Sequence, residues 1–242
     1  MPNALPLLNF IHHSCYLVAL PKALLLFDYF EEQGEEEQAT GQHLLSLLQR
    51  GEQRPLYIFC SHSHADHYAP IVHSLFRQYA GGVRYIFHEE VRASVPEQYR
   101  PEVLFLSTGT FAELEGLKIK AYGSTDIGGS FYIDVEGYRL FHAGDLNNWH
   151  WNEEASPEYI AQYEADWRRE LARLVADRVE LDLLMFPTDL RLGKDYLKGL
   201  RELLQVIPVG LLAPMHLNGV MHSWAELEEL CKVYHVSLYK IS

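Results

Sequence analysis

Short apolar runs bounded by glycine, proline and charged residues set the rhythm of the chain. Phe10–Val18 and Ala23–Asp28 read as two strands joined by a turn at Pro21-Lys22, and Leu56–Cys60 reads as a buried strand. Leu44, Leu45, Leu47 and Leu48 recur as one helical face that Gly51 closes. Pro70 opens a helix through about Tyr79, which Gly81-Gly82 ends. Strands follow at Arg84–Phe87 and Val103–Leu106, then at Leu117–Tyr122, Ser130–Val135 and Tyr138–His142, the last two joined by a tight turn at Glu136-Gly137. Pro157 to Val179 is a long helix with Tyr159, Tyr163, Trp167, Leu171 and Leu174 on one stripe. Leu181–Pro187 is a buried strand, Gly193–Val206 a helix, and Val209–His216 a strand ending in histidine. Ser223, with Glu226 at N3, caps a helix through Val233, and Val236–Ile241 closes the chain. Strands come first and helix–strand alternation follows, in both halves, with no linker dividing them. A single domain over residues 1–242 is therefore expected.

Composition narrows the function. The chain has 242 residues, 48% of them hydrophobic, enough for a sizeable core. No segment approaches the ~18–20 apolar residues of a membrane helix, and the N-terminus lacks the pattern of a signal peptide. Cys15, Cys60 and Cys231 are a sparse, odd set, as expected of reduced cytoplasmic thiols. Cys60 reads as a small buried hydrophobe. The net charge of −13 leaves no basic footprint for nucleic acid, so neither nucleic acid nor membrane is an expected partner. The expected partner is a small-molecule substrate. The acidic run Glu31–Glu37 reads as a solvated loop.

The chemistry concentrates in Ser61-His62-Ser63-His64-Ala65-Asp66-His67-Tyr68, directly after the Leu56–Cys60 strand. Imidazole and carboxylate are the ligands that borderline divalent metals prefer. In an extended piece His62 and His64 point to one side, while Asp66 and His67 come after the chain turns and approach a second point. Two metals about 4 Å apart make a hydrolytic centre. A histidine-rich surface turn is the bland alternative, but this cluster is internal, spaced, and carries an aspartate before its last histidine. Phe141-His142-Ala143-Gly144-Asp145 delivers a second aspartate, directly after glycine. His142 packs nearby. The aromatic loop Leu146–Trp151 follows: Trp149 and Trp151 either wall a substrate pocket or plug the core. His13 either faces the same cleft or is a plain polar strand position.

His-x-His-x-Asp-His, Gly144-Asp145 and Pro214-Met215-His216, in that order, resemble the signature of the metallo-β-lactamase-fold hydrolases, and most closely the UlaG-like, zinc-dependent subgroup. The resemblance runs from Ile11 to His216. It implies an α/β (α+β) fold, a four-layer αββα sandwich with the metal cleft along one edge of the paired sheets. It implies His62, His64, Asp66, His67, Asp145 and His216 as ligands of one or two divalent metals, zinc before manganese or iron, with Asp145 bridging. Asp28, ending the second strand, matches the aspartate that supports the metal loop through hydrogen bonds. The implied reaction is hydrolysis of a small ester, lactone, amide or phosphodiester by a metal-bound hydroxide, with Asp66 and Asp145 catalytic and His150 among the candidate proton donors. A non-hydrolytic protein on this fold, an iron redox enzyme or a metal-bound sensor, is the alternative.

One position departs from that pattern. Sliding Tyr122–Phe131 onto it puts Ser124 where a third histidine belongs. Serine is a poor zinc ligand. Asp126, two residues on, shares the face of Ser124 in an extended segment and either supplies an oxygen or caps the glycine turn. The expectation is an uneven pair of metal sites.

Overall fold

The computed structural model describes residues 6–31, 44, 48, 53–217 and 224–241. The leucine face at 44–48 with Gly51, most of the acidic run, and the Ser223 cap lie outside the described residues or only partly within them. The chain forms two compact units, Met1–Ser107 and Thr108–Ser242, each built on one sheet.

In the first unit, β1 (Leu7–His12), β2 (Cys15–Ala19), β3 (Leu24–Phe27), β4 (Leu56–Cys60), β5 (Val83–His88) and β6 (Val103–Leu106) lie side by side in chain order. β1, β2 and β3 pair antiparallel, and β3 through β6 pair parallel. β3 and β4 are buried along their whole length, as parallel strands require. Leu26, Ile58, Phe76 and Phe87 belong to the core of this unit. Two elements differ from the sequence expectation. Phe10–Val18 is not one strand: His12 pairs with Cys15, and His13-Ser14 form a two-residue turn between β1 and β2. The apolar run hides the break because His13 supplies a left-handed residue (φ 43°) without glycine. The helix expected from Pro70 is only α1 (Val72–Leu75), followed by irregular turns; its N-cap Ile71 offers no side-chain acceptor.

In the second unit, β7 (Phe111–Leu114), β8 (Leu117–Gly123), β9 (Gly129–Val135) and β10 (Tyr138–His142) form an antiparallel meander. β11 (Leu181–Pro187), β12 (Val209–Met215) and β13 (Ser237–Leu238) extend it in parallel from β10. The turn at Glu136-Gly137 has φ 53° and 82°, the left-handed pair a tight hairpin demands. β7 was not anticipated, and the closing strand is two residues rather than the expected six or so. α2 (Pro157–Ala176) starts at Ser156, whose hydroxyl accepts the Tyr159 N–H. Its buried residues include Trp167 and Leu174; Tyr159, expected on that stripe, is 66% exposed. Trp167 meets the Phe186 ring edge-on at 5.9 Å. The helix expected over Gly193–Val206 is shorter, α3 (Lys198–Leu204), because Gly193 (φ 72°) breaks the preceding turn. α4 (Trp224–Tyr234) is the last helix. Among the described residues, no helix is long and apolar enough to cross a membrane.

Candidate metal centre

Parallel pairing decides which strand ends become neighbours. In the first unit, β3 and β4 run side by side, so Asp28 and Ser61 leave the sheet at the same end. Asp28 is wholly buried, and its carboxylate organises the loop after β4. Its Oδ1 accepts the Ser61 N–H at 2.7 Å. Its Oδ2 accepts the Ser61 hydroxyl at 2.6 Å and His67 Nδ1–H at 2.7 Å. Because the Ser61 hydroxyl gives its proton to Asp28, it accepts from His62 Nδ1 at 2.9 Å. Both imidazoles therefore carry their lone pair on Nε2, the tautomer a metal ligand needs.

The remaining loop residues follow. His62 Nε2 lies 3.0 Å from His64 Nδ1. That is a hydrogen-bond distance, and it brings the two imidazoles to one point. His64 is exposed and His62 buried. Asp66 is half-buried, with Oδ2 3.4 Å from His13 Nε2. The donor atoms of His13, Asp66 and His67 all lie within 4.8 Å of one another. The contact with His13 outweighs burial and holds the Asp66 carboxyl well below the usual carboxylate range, so it is ionised at neutral pH. Ser63 is clamped by Glu90, which accepts its N–H at 2.9 Å and its hydroxyl at 2.6 Å. Cys60 donates to the carbonyls of His62 and His67, and burial pushes its thiol far up. It braces the loop and is no nucleophile.

In the second unit, β10, β11 and β12 run parallel, so Asp145, Asp189 and His216 all follow strand ends on the same side of one sheet. His216 Nε2 lies 3.4 Å from Asp145 Oδ1, and its Nδ1–H donates to Asp189 Oδ2 at 2.8 Å. Burial pushes the Asp189 carboxyl up, but His216 and Arg191 outweigh it and hold it well below the usual range. Arg191 binds Asp189 through its backbone N–H at 2.8 Å and through two guanidinium nitrogens at 2.8 and 2.5 Å. Trp149 donates its indole N–H to the Asp145 carbonyl at 2.7 Å and stacks on Trp151, ring centres 6.1 Å apart. Its ring also meets His216 edge-on at 5.2 Å. The tryptophan pair thus flanks Asp145 and His216.

The other sequence candidates have distinct surroundings. His142 is buried, and its Nδ1 accepts the Gly144 N–H. His150 is buried with both ring nitrogens used by backbone: Nε2 donates to the Asp195 carbonyl and Nδ1 accepts the Asn152 N–H. It anchors its loop, which argues against the proton-donor role expected of it. Ser124 accepts the Asp126 N–H. Asp126 is exposed and, among the described residues, joins neither donor group. Thr125, between them, grips the Asp145 loop, donating to the Asn147 carbonyl at 2.6 Å and accepting its N–H at 3.0 Å.

Sequence reasoning missed Ser61, Glu90, Thr125 and Arg191 as supports. Asp189 carried a legible signal, since it ends a buried strand as Asp28 does. Four of the residues described above adopt left-handed backbone without being glycine: His13, Asp28, Trp151 and His216 (φ 43–61°). Such conformations cost about 1–3 kcal/mol each and gather at functional sites.

The profile of the Metallo-beta-lactamase superfamily matches residues 8–184, and the chain belongs to that superfamily. Its fold is the metallo-β-lactamase fold, with mixed α/β content and two sheets. Members of this superfamily are mostly metal-dependent hydrolases, and the histidine–aspartate donors fit a divalent metal. Among solved structures, the chain resembles Igni18, a metallo hydrolase from Ignicoccus hospitalis, with TM-score 0.63 and 13% identity, covering 97% of this chain and 94% of that one. It also resembles YhfI, a metallo-beta-lactamase fold protein from Bacillus subtilis, with TM-score 0.56 and 14% identity, covering 99% and 91% of the two chains. CmlA, a diiron β-hydroxylase from Streptomyces venezuelae, matches with TM-score 0.63 and 10% identity over 98% of this chain and 53% of that one. The chain thus spans about half of CmlA. A comparison with curated proteins finds no match. At these identities the likeness establishes the fold alone.

Proposed function

We propose that this protein is a metal-dependent hydrolase of the UlaG-like subgroup. Its metal donors are His62, His64, Asp66, His67, Asp145 and His216, as the order of motifs implies. The observation that supports this best is the buried Asp28–His67 contact at 2.7 Å, with the Ser61 hydroxyl on the same carboxylate and accepting in turn from His62 Nδ1. Two imidazoles are set in the ligand tautomer by one anion, an arrangement that a structural histidine does not need. Asp189 does the same for His216.

A divalent metal, zinc being one that imidazole and carboxylate suit, would activate water and polarise the scissile oxygen. The chain supplies the rest. Ionised Asp66 accepts a hydrogen bond from the attacking water and orients it. Asp145 is held by Trp149 and by the Thr125 clamp on its loop. The tryptophan pair offers an apolar wall to a small ester, lactone, amide or phosphodiester. The net charge of −13 disfavours polymeric phosphate, and the buried free cysteines suit the cytoplasm.

The test screens purified protein against lactone, thioester and phosphodiester panels, with and without chelator, alongside metal analysis. Chelator-sensitive hydrolysis is expected, lost in His64→Ala and in Asp145→Ala while the circular dichroism spectrum persists. Near-normal turnover in either variant overturns the assignment. Native iron with no zinc would favour a redox enzyme.

A further inference from the structure

We propose that His13 is itself a metal ligand, joining Asp66 and His67 in a three-donor set contained within the first unit. The inference rests on the metal-dependent reading above and adds to it a residue that the six-ligand motif does not include.

The turn between β1 and β2 puts His13 there. Pairing of His12 with Cys15 leaves only His13 and Ser14 to reverse the chain. A non-glycine residue at φ 43° costs about 1–2 kcal/mol, and a simple hairpin would use asparagine or glycine at this position. The strained turn instead carries an imidazole that is 8% exposed, so the side chain is held in the interior beside the metal loop.

The spacing argues for shared coordination. His13 Nε2 and Asp66 Oδ2 are 3.4 Å apart, beyond the ~2.7–3.2 Å of a good hydrogen bond. It matches the roughly 3.3–3.4 Å between two ligands of one tetrahedral ion with bonds of ~2.0–2.2 Å. The rings of His13 and His67 lie 5.4 Å apart at 83°. They are splayed, as imidazoles around a common point are, and not stacked. With all three donor atoms within 4.8 Å of one another, one ion can be reached by each after small side-chain adjustments. The consequence is a bias between the two sites. The His62–His64 pair lacks a histidine at Ser124, while the Asp66–His67 pair gains one, so the first equivalent of metal settles on Asp66, His67 and His13.

The test is titration of metal-free protein with zinc by calorimetry and with cobalt by visible absorption, on wild type, His13→Asn and His62→Ala. Asparagine tolerates left-handed backbone, so the turn survives while the imidazole is lost. The expected result is two affinity classes in wild type, with His13→Asn weakening the tighter one by about 100-fold or more and His62→Ala weakening only the other. As an independent reading without any variant, one equivalent of cadmium-113 added to nitrogen-15-histidine-labelled wild type should produce metal–nitrogen coupling on His13 Nε2. Unchanged tight affinity in His13→Asn, or no coupling at His13 with cadmium bound at Asp66 and His67, overturns the inference and leaves only the direct His13–Asp66 contact. Wild type that binds no metal overturns the metal-dependent reading itself.

Discussion

Replacing Asp28 by asparagine isolates what one buried carboxylate does for the metal loop. The side chain keeps its shape, and asparagine accepts the left-handed backbone found here (φ 45°), so no strain is added. Three donors converge on the carboxylate: the Ser61 N–H on Oδ1, and the Ser61 hydroxyl and His67 Nδ1–H on Oδ2. With the amide oxygen kept towards the Ser61 N–H, the amide nitrogen replaces Oδ2 and faces two donors. The Ser61 hydroxyl can rotate. His67 can only answer by moving its proton to Nε2, which removes the lone pair a metal needs. Each hydrogen bond to a charged group contributes roughly 1.5–3 kcal/mol, and two are at stake with one partly recoverable. The expected loss of metal-free stability is therefore about 2–4 kcal/mol, and the wrong tautomer should weaken metal binding about 10–100-fold. Urea denaturation of the metal-free protein reads the first quantity and zinc calorimetry the second. A variant that loses stability but binds zinc as tightly as wild type would show that Asp28 does not set the His67 tautomer, and the argument for ligand orientation would fail.

Asp189→Ala should weaken metal binding by a similar 10–100-fold through His216, and Arg191→Ala by less, because Arg191 acts only by holding Asp189; competition with a chromophoric chelator measures both. Gly199→Ala should cost about 1–3 kcal/mol in urea midpoints, since the new methyl would sit 2.2 Å from Asn147 Oδ1 and 2.8 Å from the Asn148 N–H nitrogen, displacing the loop that carries Asp145. Burial lowers the pKa of His73, 1% exposed and stacked on Tyr99, from about 6.5 to about 4. The unfolded chain then takes a proton at that site as pH falls below 6.5 while the folded chain resists until about pH 4, so stability drops across that window. At pH 5 the drop is about 2 kcal/mol. His73→Phe should lose correspondingly less between pH 7 and pH 5, and equal losses in both proteins would refute this.

Most of the strands, and the histidine and aspartate residues that follow them, are legible in the sequence alone. These are local properties: an apolar run commits to burial, and the residues just past it fall in a loop where imidazole and carboxylate are accessible. Leu56–Cys60 followed by His62–His67 and Phe141 followed by Asp145 were legible for that reason. The break at His13-Ser14 was not, because its turn lacks the glycine or asparagine that announces one, and the apolar pattern continues on both sides. Nor was the early end of the helix at Leu75, where no cap or glycine marks the stop. Tertiary structure alone decided how the donors are held. The contacts from Asp28 to Ser61 and His67 span 33 and 39 residues, Glu90 reaches Ser63 across 27, and Asp189 reaches His216 across 27. Sequence spacing carries no record of such pairs. They exist because β3 and β4 pair in parallel, as do β10, β11 and β12, and parallel strands deliver their following loops to the same end of a sheet.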